Sequence, residues 1–103
     1  MKQKIESVFP NSIELLRRCE RSYYNCINSD ENIELREEIG VSLNELELAK
    51  ESIRIEFNST EYGELIFDTK FKILNLSTRE SIGYYRCIEN LEGEFIDDFL
   101  VFH

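Results

Sequence analysis

Around Ser52 the apolar residues of this 103-residue chain change their period. Before that point they recur at helical spacing. After it they alternate, and a period of two sets successive side chains on opposite faces of a strand. Ile53-Arg54-Ile55-Glu56-Phe57 alternates without a break, and Asn58-Ser59-Thr60-Glu61-Tyr62-Gly63 reads as a turn with Gly63 at a positive-φ position. Residues 64–74 then offer Leu65, Phe67, Phe71 and Ile73 to one face and Asp68, Lys70 and Lys72 to the other. Ile82–Asn90 and Glu94–Phe102 complete four strands joined by short turns, the pattern of an antiparallel meander. The expected architecture is therefore one two-layer α+β domain over residues 1–103: N-terminal helices (11–51) packed on a four-stranded antiparallel meander (52–102). Either face of the sheet can carry the helices on this pattern.

In the front half, Asn11-Ser12-Ile13-Glu14 opens an amphipathic helix, with Asn11 as cap and Glu14 as its reciprocal capping-box partner. Ile13, Leu16, Cys19 or Glu20, Tyr23 and Ile27 form its apolar stripe, flanked by Leu15 and Cys26. Arg17, Arg18 and Arg21 cluster on its polar side and are expected to pair with the Glu-rich segment that follows. Asp30–Gly40 fits a short helix ended by Gly40, and Ser42-Leu43-Asn44-Glu45 reads as a capping box for a further helical piece through residue 51. Leu46-Glu47-Leu48 suits a strand as well.

The last turn fixes a register. Asn90-Leu91-Glu92-Gly93 has Asn first and Gly fourth, the pattern of a type I turn followed by an αL glycine, which makes a three-residue hairpin loop. Counting back puts Arg86 opposite Asp98, as a structural charge pair, and Cys87 opposite Asp97. A two-residue turn would instead set Cys87 against Asp98 and Arg86 against Phe99. The first register is preferred because it matches charge to charge.

Little in the chain points to catalysis. Asp97 and Asp98 are adjacent in a strand, so without a bulge between them they face opposite ways and cannot share a proton or a metal. The single histidine, His103, is terminal, and neither a Gly-rich phosphate loop nor HExxH occurs. Cys19 and Cys26 lie seven residues apart on one helix, about 10 Å along its axis, too far for a disulfide. Cys87 stands alone in a strand, and no CxxC or Cys/His spacing suits zinc. Buried thiols, no catalytic residues, no metal and no cofactor are the expectation. Tyr23-Tyr24 and Tyr84-Tyr85 should each split into one buried and one surface ring.

Charge is the strongest compositional signal. The net charge is −9, and residues 30–64 alone hold eleven acidic and three basic side chains. That balance disfavours direct binding of nucleic acid or an anionic membrane and favours a basic protein partner. The reading is a small, acidic, non-catalytic binding protein, of the immunity or inhibitor kind, whose surface at Glu34, Glu37, Glu38, Glu45, Glu47 and Glu51 masks a basic partner. The alternative is a small-ligand-binding domain or enzyme with a pocket between helices and sheet, anchored by Arg86, Asp98 and tyrosine hydroxyls. No apolar run approaches the ~18 residues of a membrane span, and the N-terminus lacks the apolar stretch of a secretion signal, so a cytoplasmic location is expected. Oligomeric state is open, since an outer strand of the meander can pair with a second copy.

Overall fold

The computed structural model describes residues 12–59 and 63–103. Helix α1 (Ser12–Ile27) leads through a 3₁₀ turn (Asp30–Asn32) into helix α2 (Ile33–Glu38). A second 3₁₀ turn (Leu43–Glu45) precedes strands β1 (Leu46–Ser59), β2 (Gly63–Asn75), β3 (Ser81–Asn90) and β4 (Phe95–Phe102). The sheet order is β1-β2-β3-β4, all antiparallel, so the meander and the two-layer α+β architecture are as the periodicity implies. The Asn11 cap and the tip of the β1–β2 turn, 60–62, lie outside the described residues. Among the described residues no helix is long and apolar enough to cross a membrane.

Helix α1 packs on the face of the sheet that holds Phe71, Ile73, Tyr85 and Cys87. Its buried stripe is Leu15, Cys19, Tyr23 and Ile27, one residue every four. The stripe begins at Leu15 and not at Ile13, which is 64% exposed. Four residues turn a helix by slightly more than one revolution, so a four-residue repeat slants across the cylinder and carries Ile13 off the contact. Each tyrosine pair divides as expected, with Tyr23 and Tyr85 buried, Tyr24 exposed and Tyr84 half-buried.

The end of α1 explains why the chain turns there. Its last carbonyls run short of helical donors; Asn28 N and Ser29 N still donate to Tyr24 O and Cys26 O, and three side chains from the following segment add further bonds. Asn28 Nδ2 donates to Tyr24 O (2.8 Å), Asn32 Nδ2 to Cys26 O (2.6 Å), and Arg36 Nη1 to both Ile27 O (2.6 Å) and Ser29 O (2.9 Å). Helix α2 ends at Gly40, whose φ of 64° is the left-handed conformation expected of a C-terminal glycine.

The helical reading of residues 43–51 is corrected. Ser42 makes no side-chain cap, and only a single 3₁₀ turn forms before β1 begins at Leu46. Leu46 and Leu48 face the core with Ile53, although the first two are even-numbered and the third is odd. A β-bulge reconciles them: Lys50 pairs with Phe71 and Ser52 with Lys70, which leaves Glu51 as an extra residue. The change of period at Ser52 therefore marks a bulge inside one long strand. Pairing along the whole of β2 and burial of two leucines outweigh the local helix propensity of Glu, Leu, Ala and Lys.

A bulge also corrects the final register. The turn forms as expected: Gly93 has φ 82°, Gly93 N donates to Asn90 O, and Asn90 Oδ1 accepts from Glu92 N and Glu94 N. Glu89 then faces Phe95, but Ile88 faces Asp97, so Ile96 is extra and every later pair moves by one. Arg86 lies opposite Phe99 and Cys87 opposite Asp98, the arrangement assigned above to the shorter turn. The Arg86–Asp98 pair does not form. Arg86 instead holds Asp68 with two hydrogen bonds (3.2 and 2.6 Å) on the sheet face away from α1, with its guanidinium 5.1 Å from the centre of the Phe99 ring. Two carboxylates on adjacent residues still face opposite ways, and only Asp98 lies on the helix side.

Gly83 on β3 lies against β4, and a Cβ there would collide with the Val101 carbonyl oxygen and press on Phe102. Gly83→Ala is expected to destabilise the fold by about 1–3 kcal/mol, the usual cost of overpacking. A denaturant midpoint unchanged from that of the parent chain would contradict this account.

Candidate functional site

Three places on the described surface and interior carry chemistry. The first is the acidic segment. Asp30, Glu31, Glu34, Glu37 and Glu38 are all exposed along the 3₁₀ turn and α2, and among the described residues no ion pair involves them. The one cation in that stretch, Arg36, is turned inward onto the last carbonyl of α1 and that of Ser29 just beyond it. Ordinary helix-end satisfaction thus removes the only counter-charge that the segment itself carries, and a ridge of five carboxylates remains.

The other expected glutamates do not extend this ridge as equals. Glu45 is exposed at the end of the second 3₁₀ turn. Glu47 and Glu51 are on β1, where Glu47 lies 3.9 Å from Arg79 Nη1 and Glu51 lies 3.2 Å from Lys70 Nζ and 3.8 Å from Lys72 Nζ. These exposed pairs are each worth at most about 1 kcal/mol, yet they cancel the local field. The six residues therefore separate into an uncompensated set, Glu34, Glu37, Glu38 and Glu45, and a compensated pair, Glu47 and Glu51.

The second place is a cleft of about 480 Å³ between the C-terminal half of α1, the first 3₁₀ turn and β4. Ser22, Cys26, Asn32, Phe95 and Asp98 line it, and Glu31 joins its wall to the ridge. The pocket between helices and sheet was expected to use Arg86, Asp98 and tyrosines. Asp98 is there, placed by the Ile96 bulge, but Arg86 and Tyr84 lie on the other face of the sheet. Asp98 Oδ2 accepts from the buried Tyr85 hydroxyl at 2.9 Å. Burial raises the Cys26 thiol to about 11, so it is no nucleophile at neutral pH.

The third place is interior, and sequence spacing gave no sign of it. Cys19 on α1 meets Cys87 and Glu89 on β3, with one ligand atom of each within 4.8 Å of the other two, all three residues being buried. Arg18, one residue before Cys19, reaches the same carboxylate: Nε donates to both Glu89 oxygens (3.3 and 3.2 Å) and Nη2 to Oε1 (3.0 Å). The Glu89 side chain is 3% exposed and that of Arg18 37%. The guanidinium also lies against Gly93 of the β3–β4 turn, where a Cβ would come within 3.1 Å of it. Arg18 was expected to pair with the adjacent Glu-rich segment and instead spans 71 residues. Thr69, opposite Cys87 in the β2–β3 ladder, has a buried hydroxyl with no hydrogen-bond partner among the described residues. The Cys87 thiol is held protonated, first by its hydrogen bond with Cys19 and then by burial.

Comparison of the chain with protein-family models, curated proteins and solved structures found no match.

Two predictions follow from these environments. Arg18→Ala leaves the Glu89 carboxylate buried without its partner and is expected to cost roughly 2–3 kcal/mol, below the figure for a wholly buried pair because Arg18 is partly in solvent. Arg18→Ala combined with Glu89→Gln should recover part of that loss in chemical denaturation; no recovery would mean that the charge is not what matters. The second concerns alkaline pH. Tyr23, chiefly through burial, is raised from 10.0 to about 12, and Cys26 from 9.0 to about 11. The folded state then keeps protons that the unfolded chain loses, so stability is full below about pH 9 and falls as pH rises toward 12. Unfolding free energies measured at successive pH values should decline across that window, and a flat profile would refute the assignment.

Proposed function

We propose that this protein is a non-catalytic binding module that docks a basic protein surface on the ridge formed by Asp30, Glu31, Glu34, Glu37 and Glu38. The observation that carries the reading is the inward commitment of Arg36, which leaves the ridge without a cation of its own. Glu37 and Glu38 close the helix at its C-terminal end, where carboxylates oppose the backbone dipole and add nothing to stability. Like charges gathered against local stability are better accounted for by a partner than by folding. An uncompensated anionic ridge accelerates encounter with a cationic surface and rejects nucleic acid and anionic lipid. A small protein that masks the basic face of another, as an inhibitor or immunity protein does, is the functional class that this surface fits.

The cleft supports a second reading, a site for a small cationic ligand held between Asp98 and Glu31 against Phe95, whose ring is 54% exposed. The two separate experimentally. A partner captured from the native host and then purified should lose affinity steeply as salt rises, and Glu34→Lys/Glu37→Lys/Glu38→Lys should weaken binding at least about tenfold, mainly through the association rate. Glu47→Lys/Glu51→Lys, on the already neutralised strand, should change it little. Binding that ignores salt, or that survives reversal of the ridge, would overturn the proposal. Loss on Asp98→Asn with an indifferent ridge would favour the cleft.

A further inference from the structure

We propose that Cys19, Cys87 and Glu89 form a buried binding site for a thiophilic divalent cation, Zn²⁺ by its chemistry, that ties helix α1 to strand β3. The inference is independent of the acidic ridge. It rests first on convergence: two sulfurs and a carboxylate oxygen lie within 4.8 Å of one another in the interior. Tetrahedral zinc with Zn–S of about 2.3 Å and Zn–O of about 2.0–2.2 Å needs donors about 3.5–3.8 Å apart. The group must close by no more than roughly 1 Å, within side-chain rotation.

Charge balance comes next. With the thiols protonated, Glu89 and Arg18 sum to zero. Binding follows M²⁺ + 2 RSH + RCOO⁻ + H₂O → M(SR)₂(OOCR)(OH₂)⁻ + 2 H⁺, with a water as the fourth ligand of the tetrahedron, and the Arg18 guanidinium neutralises the resulting anion. Both states are therefore neutral in a place where net charge is costly. Arg18 also fixes the carboxylate from outside, as partners of metal ligands commonly do, and Glu89 Oε2, which accepts one hydrogen bond where Oε1 accepts two, keeps a lone pair for the metal.

The independent sign is Thr69. It stands opposite Cys87 on the same face, and its hydroxyl is the buried side-chain polar atom that lacks a partner among the described residues. An orphan of this kind costs about 1–3 kcal/mol. A Cys87 thiolate gives the hydroxyl an acceptor that a thiol supplies poorly. Two cysteines alone would pack as small apolar groups, but apolar packing calls for neither a core carboxylate beside them nor a free hydroxyl opposite.

The test uses the full chain, expressed with zinc and purified without chelator, then stripped under reducing, denaturing conditions, refolded and titrated with Co²⁺ followed by Zn²⁺. Elemental analysis should give about one zinc per chain, with release of about two protons on binding. Co²⁺ should produce a thiolate charge-transfer band and the visible bands of a tetrahedral ion, both erased by Zn²⁺. Cys19→Ser and Cys87→Ser should each weaken Co²⁺ binding and lower the charge-transfer band, the double variant should abolish it, Glu89→Gln should weaken Co²⁺ binding at least about tenfold, and Cys26→Ser should change nothing. Because the core serines can impair folding, the spectrum of the parent chain and the Glu89→Gln titration decide independently of them. Zinc-free protein with no cobalt bands, bands that persist in Cys19→Ser/Cys87→Ser, or a Cys19–Cys87 disulfide in the purified chain would each overturn the proposal.

Discussion

The ion pair of Arg18 with Glu89 is the interaction on which the arrangement of the two layers depends. It is made by a residue beside the buried stripe of α1 and one near the end of β3, and its guanidinium also rests on the glycine that turns β3 into β4. One side chain thus sets the azimuth of the helix, its position along the strand and the approach of the hairpin loop. An apolar contact fixes none of these strictly, because dispersion and burial are insensitive to direction. Three hydrogen bonds to a carboxylate removed from water are directional, and misplacing them strands a charge. The apolar stripe supplies adhesion, and the buried pair supplies alignment.

Much of this fold is legible in the chain, and its illegible parts share one cause. The four strands, their order and the Asn90–Gly93 turn follow from alternation and turn chemistry. Each of the three ladders then contains one bulge. A bulge adds one residue and reverses the parity of everything beyond it, and no single residue type announces it. Glu51 made a long strand resemble a helix followed by a strand. Ile96 moved Asp98 from Arg86 to Tyr85. The remaining bulge, at Ile82, falls beside the short β2–β3 turn and upset no pairing that the sequence suggested.

The functional surface was legible to a similar depth. Acidity of the middle segment is a count, and Glu34, Glu37 and Glu38 could be named from it. The difference between them and Glu47 or Glu51 lies in tertiary neighbours: Lys70, Lys72 and Arg79 come from strand and turn positions up to 32 residues away. The Cys19, Cys87 and Glu89 group was hidden for the same reason, since ligand spacing along the chain detects sites built on one loop and misses those shared between a helix and a distant strand.

Among the described residues strand β1 is, with β4, an outer strand of the sheet, and it runs from Leu46 to Ser59. An outer strand of that length is a template on which another chain can hydrogen-bond, and even spacing of its free backbone groups is what such growth requires. At Glu51 that spacing is broken, and the charged residue placed there is flanked by Lys50. The same inserted residue that keeps Leu46, Leu48 and Ile53 together in the core divides the exposed rim into two short tracts that no straight strand can match at once. The bulge is a packing device on the inside of the sheet and, on its edge, an irregularity of the kind that blunts strand-to-strand pairing.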